Sequence, residues 1–338
     1  MRKLLCLALC ALLVWGCKNT PQPVVENTGY VSPAPAFCAD SAYQYVADQC
    51  AFGPRVMNSA AHDSCGEYIA RKFSSFGATI YDQYASSKLY DGTPIRMRNI
   101  IAAFNPEATE RIIISGHWDS RPWADHDDDE ANHHTPIDGA NDGGSSVGVM
   151  LEMARLLQKD LQEKGDSAFL ALHPTLGIDF ICWDAEDAGT PSFERDKENH
   201  EDTWCLGSQY WAGNPHVEGY RARYGVNLDM VGNSNTIFYR ELISQRYASA
   251  VVDKVWAAAH RIGYGKFFSY DDEGGGVTDD HIQVMRGGVP CIDVIGTDIN
   301  GGGFPATWHT MNDNIGNIDK ETLKAVGQTM LEVIWGEE

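Results

Sequence analysis

Short segments of branched apolar residues constrain the fold of this chain more than any other feature. They cover residues 98–104, 111–117, 177–183, 224–230 and 289–295. In the second of them, Ile112-Ile113-Ile114 shows no alternation of apolar and polar residues, which is typical of a strand buried on both faces. Stretches with helical spacing lie between or around these segments, at residues 41–49, 59–76, 245–262 and 320–335. Strands that alternate with helices predict an α/β fold, a three-layer sandwich whose central, mostly parallel mixed sheet is flanked by helices.

The N-terminal residues are typical of a targeting segment. Arg2 and Lys3 precede an apolar run, residues 4–14, that is too short to cross a bilayer. The sequence Val14-Trp15-Gly16-Cys17 resembles a bacterial lipobox with Cys17 as the lipid site, although Trp15 replaces the usual small residue, so a plain signal peptide stays an alternative. We expect a lipoprotein signal peptide over 1–16, a flexible tether over 17–36 and a single folded domain over 37–338. The protein would be exported by a bacterium, to the periplasm or the outer membrane.

Charge and cysteine spacing exclude several classes of protein. The formal net charge is −21, and an acidic surface disfavours nucleic acid and anionic lipid headgroups as partners. Membrane contact is therefore expected only through a lipid anchor at Cys17. The remaining cysteines lack the short paired spacing of a zinc–thiolate site. Cys182 and Cys291 lie in apolar segments and are predicted to be buried thiols, whereas a disulfide among Cys38, Cys50 and Cys65 stays open.

Acidic and histidine side chains recur where the predicted strands end. Because the carboxyl ends of parallel strands meet at one edge of an open sheet, residues that are distant in sequence can converge there. The residues concerned are His117, Asp119, Glu186, Asp187, Asp229, Asp279, Asp280, His281 and His309. Any one of them alone is more often a surface charge, and the functional interpretation depends on the whole set. By contrast, the acidic run 125–130, followed by His133 and His134, is predicted to be a solvated loop.

Asp142 lies in a glycine-rich turn, residues 136–147, that runs directly into a predicted helix. Free N–H groups at a helix N-terminus keep a carboxylate ionised, and an isolated Asp there would simply cap the helix. With Asp187 and His309 it forms a set of two oxygens and one nitrogen with a fourth position open, as in catalytic zinc sites. Glu186 is then free to move protons. Asp229 and Asp279 would crowd it with negative charge, so that the group retains a shared proton.

Several short motifs occur in a characteristic order. They are His117-Trp118-Asp119-Ser120, Gly139-Ala140-Asn141-Asp142, Asp184-Ala185-Glu186-Asp187, Asn227-Leu228-Asp229-Met230-Val231-Gly232, Asp279-Asp280-His281-Ile282, Arg286-Gly287-Gly288-Val289-Pro290 and Trp308-His309-Thr310-Met311. From about residue 99 to the C-terminus the chain thereby resembles the zinc-dependent glutaminyl cyclases, which are glutaminyl-peptide cyclotransferases on the zinc-aminopeptidase fold.

The resemblance implies a role for each site residue. Asp142, Asp187 and His309 would hold a single zinc ion, which polarises the γ-amide carbonyl of an N-terminal glutamine. Glu186 would be the general acid/base, with Asp229 and Asp279 as its hydrogen-bonded partners. Phe304 and Trp308 would line the glutamine pocket. The implied substrates are peptides and proteins with N-terminal glutamine, converted to pyroglutamate with release of ammonia. Two features depart from the family. Asp187 stands where Glu is common, and residues 188–205 differ from the animal enzymes, so that either Phe193 or Trp204 would close the pocket.

Two other functions compete with this one. A two-zinc aminopeptidase of the same fold would use His117, Asp142 and Asp229 for its second metal, and all three residue types are present. In the cyclase, His117 would instead be an imidazole oriented by Asp119 below the site. A non-catalytic lipoprotein that binds peptides or zinc is disfavoured by Glu186, because binding alone needs no proton shuttle.

Overall fold

The computed structural model describes residues 29–194, 201–271, 275–300 and 303–337. The expected signal peptide and lipid site at Cys17 lie outside these ranges. The helices are α1 (Ala39–Cys50), α2 (Ala60–Ser75), α3 (Gly144–Lys164), α4 (Phe169–Leu172), α5 (Leu206–Gly213), α6 (Leu242–Arg261), α7 (Asp280–Arg286) and α8 (Lys320–Trp335). The strands are β1 (Thr79–Lys88), β2 (Pro94–Phe104), β3 (Glu110–His117), β4 (Leu176–Trp183), β5 (Tyr224–Asp229), β6 (Thr236–Ile237), β7 (Cys291–Ile295) and β8 (Thr297–Asp298).

A six-stranded mixed sheet organises the molecule, in the order β1-β2-β4-β3-β5-β7. The pairs β4–β3, β3–β5 and β5–β7 are parallel, whereas β1–β2 and β2–β4 are antiparallel. Strands β6 and β8 form a separate short ladder. The predicted α/β class with a mostly parallel sheet is confirmed. Strand β1 was not expected, because its polar sequence Thr79–Lys88 shows no apolar run.

Hydrophobic side chains on both faces of the sheet explain its three layers. Ile112 and Ile114 of β3 belong to a large core with residues of α1, α3, α6 and α8. Ile113 points to the opposite face and packs in a smaller core with Trp211 of α5 and Val284 of α7. All three isoleucines are fully buried, and each contributes roughly 1.5–3 kcal/mol of hydrophobic free energy. The unbroken apolar run therefore reflects burial on two faces, as predicted.

The last part of the expected tether contacts the folded domain. The hydroxyls of Tyr30 and Ser32 both donate to the carboxylate of Glu332, at 2.5 Å each. Gln328 donates to the carbonyl of Pro35 at 3.1 Å. Because Glu332 and Gln328 belong to α8, these contacts pack residues 29–36 against that helix. The sequence could not indicate this, since Ser32 and Glu332 are 300 residues apart.

The described cysteines are all free thiols, so the disulfide considered among Cys38, Cys50 and Cys65 is not formed. Cys182 and Cys291 are fully buried, as expected. Among the described residues, no helix combines the length and apolarity needed to cross a membrane.

Candidate active site

A cavity of about 350 Å³ opens beside the carboxyl ends of the parallel strands. The loops after β4, β5 and β7 and the turn before α3 form its walls. The sequence-predicted site residues that line it are Asp142, Glu186, Asp187, Asp229, Asp279, Phe304, Trp308 and His309. The convergence predicted from the strand ends is therefore present in the structure.

Asp142, Asp187 and His309 meet in this cavity. Nε2 of His309 lies 3.0 Å from Oδ1 of Asp187 and 3.5 Å from Oδ2 of Asp142. Oδ2 of each aspartate is buried without a hydrogen-bond donor from the described residues. A buried oxygen without a donor is costly, and a bound cation would remove the cost. Two carboxylates and one imidazole are a donor set that suits zinc, so these residues fit a metal ion.

His117 lies directly beside this set. Its Nε2 is 2.9 Å from Oδ1 of Asp142 and 3.4 Å from Oδ1 of Asp229, while its Nδ1 faces Asp119 at 3.4 Å. Burial alone would lower the pKa of the imidazole, but the interactions with these three carboxylates outweigh it and raise the pKa well above its ordinary value. Ligand atoms of His117, Asp142 and Asp187 all lie within 4.8 Å of one another. This geometry accommodates both an oriented imidazole and the second metal of the competing aminopeptidase.

Buried carboxylates hold the ligand loops through backbone hydrogen bonds. Asp119 accepts from the N–H groups of Glu186 and Asp187 at 3.1 and 3.2 Å. Asp313 accepts from the N–H groups of Asn141 and Asp142 at 2.7 and 3.0 Å. These hydrogen bonds fix both loops that carry the acidic ligands, which orients the ligand side chains toward the cavity.

Backbone strain is concentrated around the same cavity. Ala185, Met230 and His309 have φ values of 54°, 49° and 55°, in the left-handed region that non-glycine residues rarely adopt. Ala185 precedes Glu186, and Met230 follows Asp229. Such conformations cost about 1–3 kcal/mol each and persist where the surrounding contacts enforce them, often at functional sites. Here they turn the chain so that the acidic side chains leave the strand ends toward the cavity.

Glu186 is 9% exposed and contacts a thiol that the sequence analysis did not single out. Sγ of Cys205 donates to its Oε1 at 3.2 Å. Burial and the neighbouring charge of Asp187 raise the pKa of Glu186 well above its usual range, so the carboxyl can hold a proton near neutral pH.

The resemblance implied hydrogen bonds from Glu186 to Asp229 and Asp279. Neither bond is present among the described residues. Asp279 has a carboxylate oxygen within 4.8 Å of Glu186, but it accepts from Asn227 at 3.0 Å. Asp229 faces His117 instead. Burial raises the pKa of Asp229 to about 6. Asp279 thus acts on Glu186 through charge rather than through a direct hydrogen bond.

Aromatic rings form the apolar walls. Trp308 stacks on His309 with ring centroids 3.8 Å apart, and Phe304 lies 4.6 Å from Trp308. Trp204 is almost parallel to the His309 ring, at 6.1 Å and 6°. Phe193 instead contacts His134 at 4.4 Å and does not line the cavity. Trp204 is therefore the aromatic residue that closes this side of the pocket. The sequence did not decide between Trp204 and Phe193.

The solvated loop predicted for residues 125–130 is wrong at Asp125. This residue is 4% exposed and accepts from Nε and Nη2 of Arg121 at 3.0 and 2.8 Å. Its Oδ1 lies 3.5 Å from Nδ1 of His309, and Arg121 also donates to the backbone carbonyl of Asp187 at 2.9 Å. Asp125 and Arg121 therefore hold two of the proposed ligands, His309 and Asp187, in position. Its only sequence signal is opposite charge at a spacing of four residues.

Comparison with known proteins places this site in a family. Residues 99–334 match peptidase family M28. The chain belongs to that family. This M28 protein shares 52% identity with the glutaminyl cyclase of Bacteroides thetaiotaomicron, whose structure bound to N-acetylhistamine was solved. The match covers 90% of this chain and 100% of that chain, with a TM-score of 0.83.

Another solved structure of similar likeness carries the name of a peptidase. A leucine aminopeptidase precursor from Bacteroides thetaiotaomicron VPI-5482 is 51% identical, over 91% of this chain and 100% of that chain, with a TM-score of 0.83. The glutaminyl-peptide cyclotransferase of Boiga dendrophila is 26% identical over 246 residues, which is 69% of this chain. The match spans 63% of that curated relative's own length.

Proposed function

We propose that this M28 protein is a glutaminyl-peptide cyclotransferase, which converts an N-terminal glutamine to pyroglutamate and releases ammonia. One observation carries the proposal: a carboxyl group that can hold a proton, Glu186, lies beside a ligand set for one metal and under a wall of aromatic rings. The likeness to the Bacteroides thetaiotaomicron glutaminyl cyclase supports it.

The mechanism requires no nucleophile from the protein. The substrate's own α-amine attacks its γ-amide carbon, so that a C–N bond forms within the ring and the bond to the side-chain nitrogen breaks. Because attack is intramolecular, a pocket that holds the folded side chain contributes much of the acceleration. Glu186 accepts the amine proton and delivers it to the departing nitrogen, which leaves as ammonia. Phe304, Trp308 and Trp204 exclude water and hold the methylene groups of the glutamine.

We propose zinc as the metal, one ion per chain, with Asp142, Asp187 and His309 as its ligands. When bound, zinc supplies a Lewis acid that polarises the amide carbonyl and stabilises the negative charge on its oxygen. Arg121 and Asp125 keep His309 and the Asp187 loop in place for that ion.

A two-zinc aminopeptidase is the second candidate, and one observation favours it. Nε2 of His117 lies 2.9 Å from Oδ1 of Asp142 and 3.4 Å from Oδ1 of Asp229, as close together as the ligands of a second ion would be. The likeness to the leucine aminopeptidase precursor supports the same candidate. The two functions differ in metal content and in the bond that is broken.

One assay separates the candidates. Purified protein is given a glutaminyl peptide and, separately, a peptide with N-terminal leucine, and ammonia and free leucine are measured before and after chelation. The cyclase releases ammonia only while it holds metal, with one zinc per chain by elemental analysis. Release of leucine by protein with two zinc ions per chain would establish the peptidase.

Glu186→Gln tests the proton transfer itself. The amide cannot accept the proton, so kcat should fall by roughly 10²–10⁴-fold, while zinc content and thermal unfolding stay unchanged. Near-normal turnover by this variant would remove Glu186 from the mechanism.

The location of the protein is also a proposal. The basic and apolar N-terminal residues, with Cys17 in a lipobox-like sequence, support export as a bacterial lipoprotein of the periplasm or outer membrane. Its substrates would then be exported peptides and proteins, and nucleic acid would be excluded by the charge of −21. Labelling with a radioactive fatty acid, lost in a Cys17→Ala variant, would establish the anchor.

A further inference from the structure

The residues that begin α5 connect to the loop that carries the proposed acid/base. The N–H groups of Cys205, Leu206 and Gly207 donate to the carbonyls of Glu186, Ala185 and Asp184, at 3.0, 3.0 and 2.9 Å. Three successive backbone hydrogen bonds therefore align residues 205–207 with residues 184–186 in opposite directions. Any side chain at position 205 is placed next to the side chain of Glu186.

Cys205 occupies this position in a conformation that is unfavourable for it. Its φ is 54°, in the left-handed region, and its side chain is completely buried. The strain is enforced by the backbone hydrogen bonds on one side and by Ser208 on the other. The hydroxyl of Ser208 donates to Oδ1 of Asp280 and also lies 3.1 Å from the carbonyl of Cys205. Residues 205–208 therefore contact both acidic loops of the site.

The thiol is the only side-chain donor to Glu186 in the described part of the chain. Its Sγ is 3.2 Å from Oε1 of Glu186, and ligand atoms of Cys205, Glu186 and Asp279 lie within 4.8 Å of one another. Two carboxyl groups thus approach one sulfur. Burial and the nearby charge of Glu186 raise the pKa of the Cys205 thiol well above its ordinary value, so it remains a neutral donor.

We propose that Cys205 is a positioning residue for Glu186, whose thiol holds the carboxyl group in the orientation from which it exchanges protons with the substrate. The inference rests on the proposed function and deepens it. A thiol is a weak donor without charge, and from its position 3.2 Å from Oε1 it favours one orientation of the Glu186 carboxyl group. A residue with this role changes the rate of the proton transfer more than substrate binding, because the Cys205 side chain contacts Glu186 and does not itself line the cavity.

The experiment compares variants that remove or replace the donor. Cys205→Ala removes it, and Cys205→Gly removes it while relieving the left-handed strain, so that at least one donor-free variant folds. Cys205→Ser restores a donor of similar size. The control is Cys65→Ala, which removes an equally buried thiol from α2, away from the site. Each variant is checked for zinc content and thermal unfolding before ammonia release from a glutaminyl peptide is measured.

The donor-free variants should lose roughly five- to tenfold in kcat, the effect of one positioned hydrogen bond, with KM changed less than twofold. Cys205→Ser should stay within about threefold of the parent in kcat, and Cys65→Ala should match the parent. Unchanged kcat in both donor-free variants, or an equal loss in Cys205→Ser, would overturn the proposal. Ammonia release by the parent protein tests the proposed function separately, since its absence there would contradict the function and not the role of Cys205.

Discussion

Buried acids occur in two regions of the central sheet, within the strands and at the carboxyl ends of the parallel strands. The two groups of acids differ in the hydrogen-bond donors that surround them. Within the strands, Asp179 is fully buried and receives two hydrogen bonds from the guanidinium of Arg111 and one from the hydroxyl of Tyr220. Both of its oxygens therefore have donors, and one partner carries a full positive charge. This is the arrangement that a buried carboxylate needs for stability.

At the carboxyl ends of the same strands, the acids lack such partners. Asp142, Asp187 and Asp229 each have a buried oxygen without a hydrogen-bond donor among the described residues. Imidazoles of His117 and His309 lie beside them, and the guanidinium of Arg121 is bound to Asp125 and to backbone carbonyls. Unpaired acids cost stability, and the comparison teaches that this cost is concentrated at the proposed site for an ion and a substrate.

The strongest test of this difference is Asp142→Asn. We expect the variant to lose its tightly bound metal and roughly a thousandfold or more of its activity, since a catalytic metal contributes several kcal/mol. Because burial and the charge of Asp187 make ionisation of Asp142 costly, the metal-free variant should be at least as stable as the metal-free parent at pH 7. Denaturant titrations of both chelated proteins measure this, and a clearly less stable variant would contradict the comparison.

Asp179→Ala should have the reverse effect. Removing the acid leaves Arg111 buried without its partner, so the free energy of unfolding should fall by about 3–5 kcal/mol. Metal content and kcat per folded molecule should not change, because Asp179 does not line the catalytic cavity. The double variant Arg111→Met with Asp179→Leu should recover most of the stability. A loss of turnover in folded Asp179→Ala would show that the two regions are coupled.

A smaller effect on stability is expected from the protonation of His216, which lies near Asp179. Trp211 donates its indole N–H to Nδ1 of His216 at 3.1 Å, and burial lowers the pKa of the imidazole to about 4. The unfolded chain binds this proton near pH 6.5 and the folded protein only near pH 4, so stability should fall as the pH decreases between these values. The slope is at most about 1.4 kcal/mol per pH unit, and less because the ring is partly exposed.

His216→Gln should flatten that slope without changing activity at neutral pH. Unfolding is followed in urea at several pH values on chelated parent and variant, so that metal binding does not contribute. Parallel curves for the two proteins would assign the pH dependence to other groups.

The sequence by itself determined the class of fold and the place of the site. Apolar runs such as Ile112-Ile113-Ile114 are local signals of a strand buried on two faces, and acids directly after such strands must lie at one edge of the sheet. Those two facts need no knowledge of distant contacts. Together with the glycine-rich turn that places Asp142 before a helix, they predicted that Asp142, Asp187 and His309 meet, and the structure places Nε2 of His309 3.0 Å from Asp187 and 3.5 Å from Asp142.

Only the tertiary structure decided the remaining features, because each depends on a partner far away in the chain. Strand β1 carries no apolar run and exists through its pairing with β2. Asp125 is buried only because Arg121 and His309 surround it, and Trp204 rather than Phe193 reaches the cavity. Cys205 contacts Glu186 because three backbone hydrogen bonds bring the start of α5 against that loop. Local periodicity encodes which face of an element is buried, whereas the groups that surround a polar side chain are set by the packing of the whole chain.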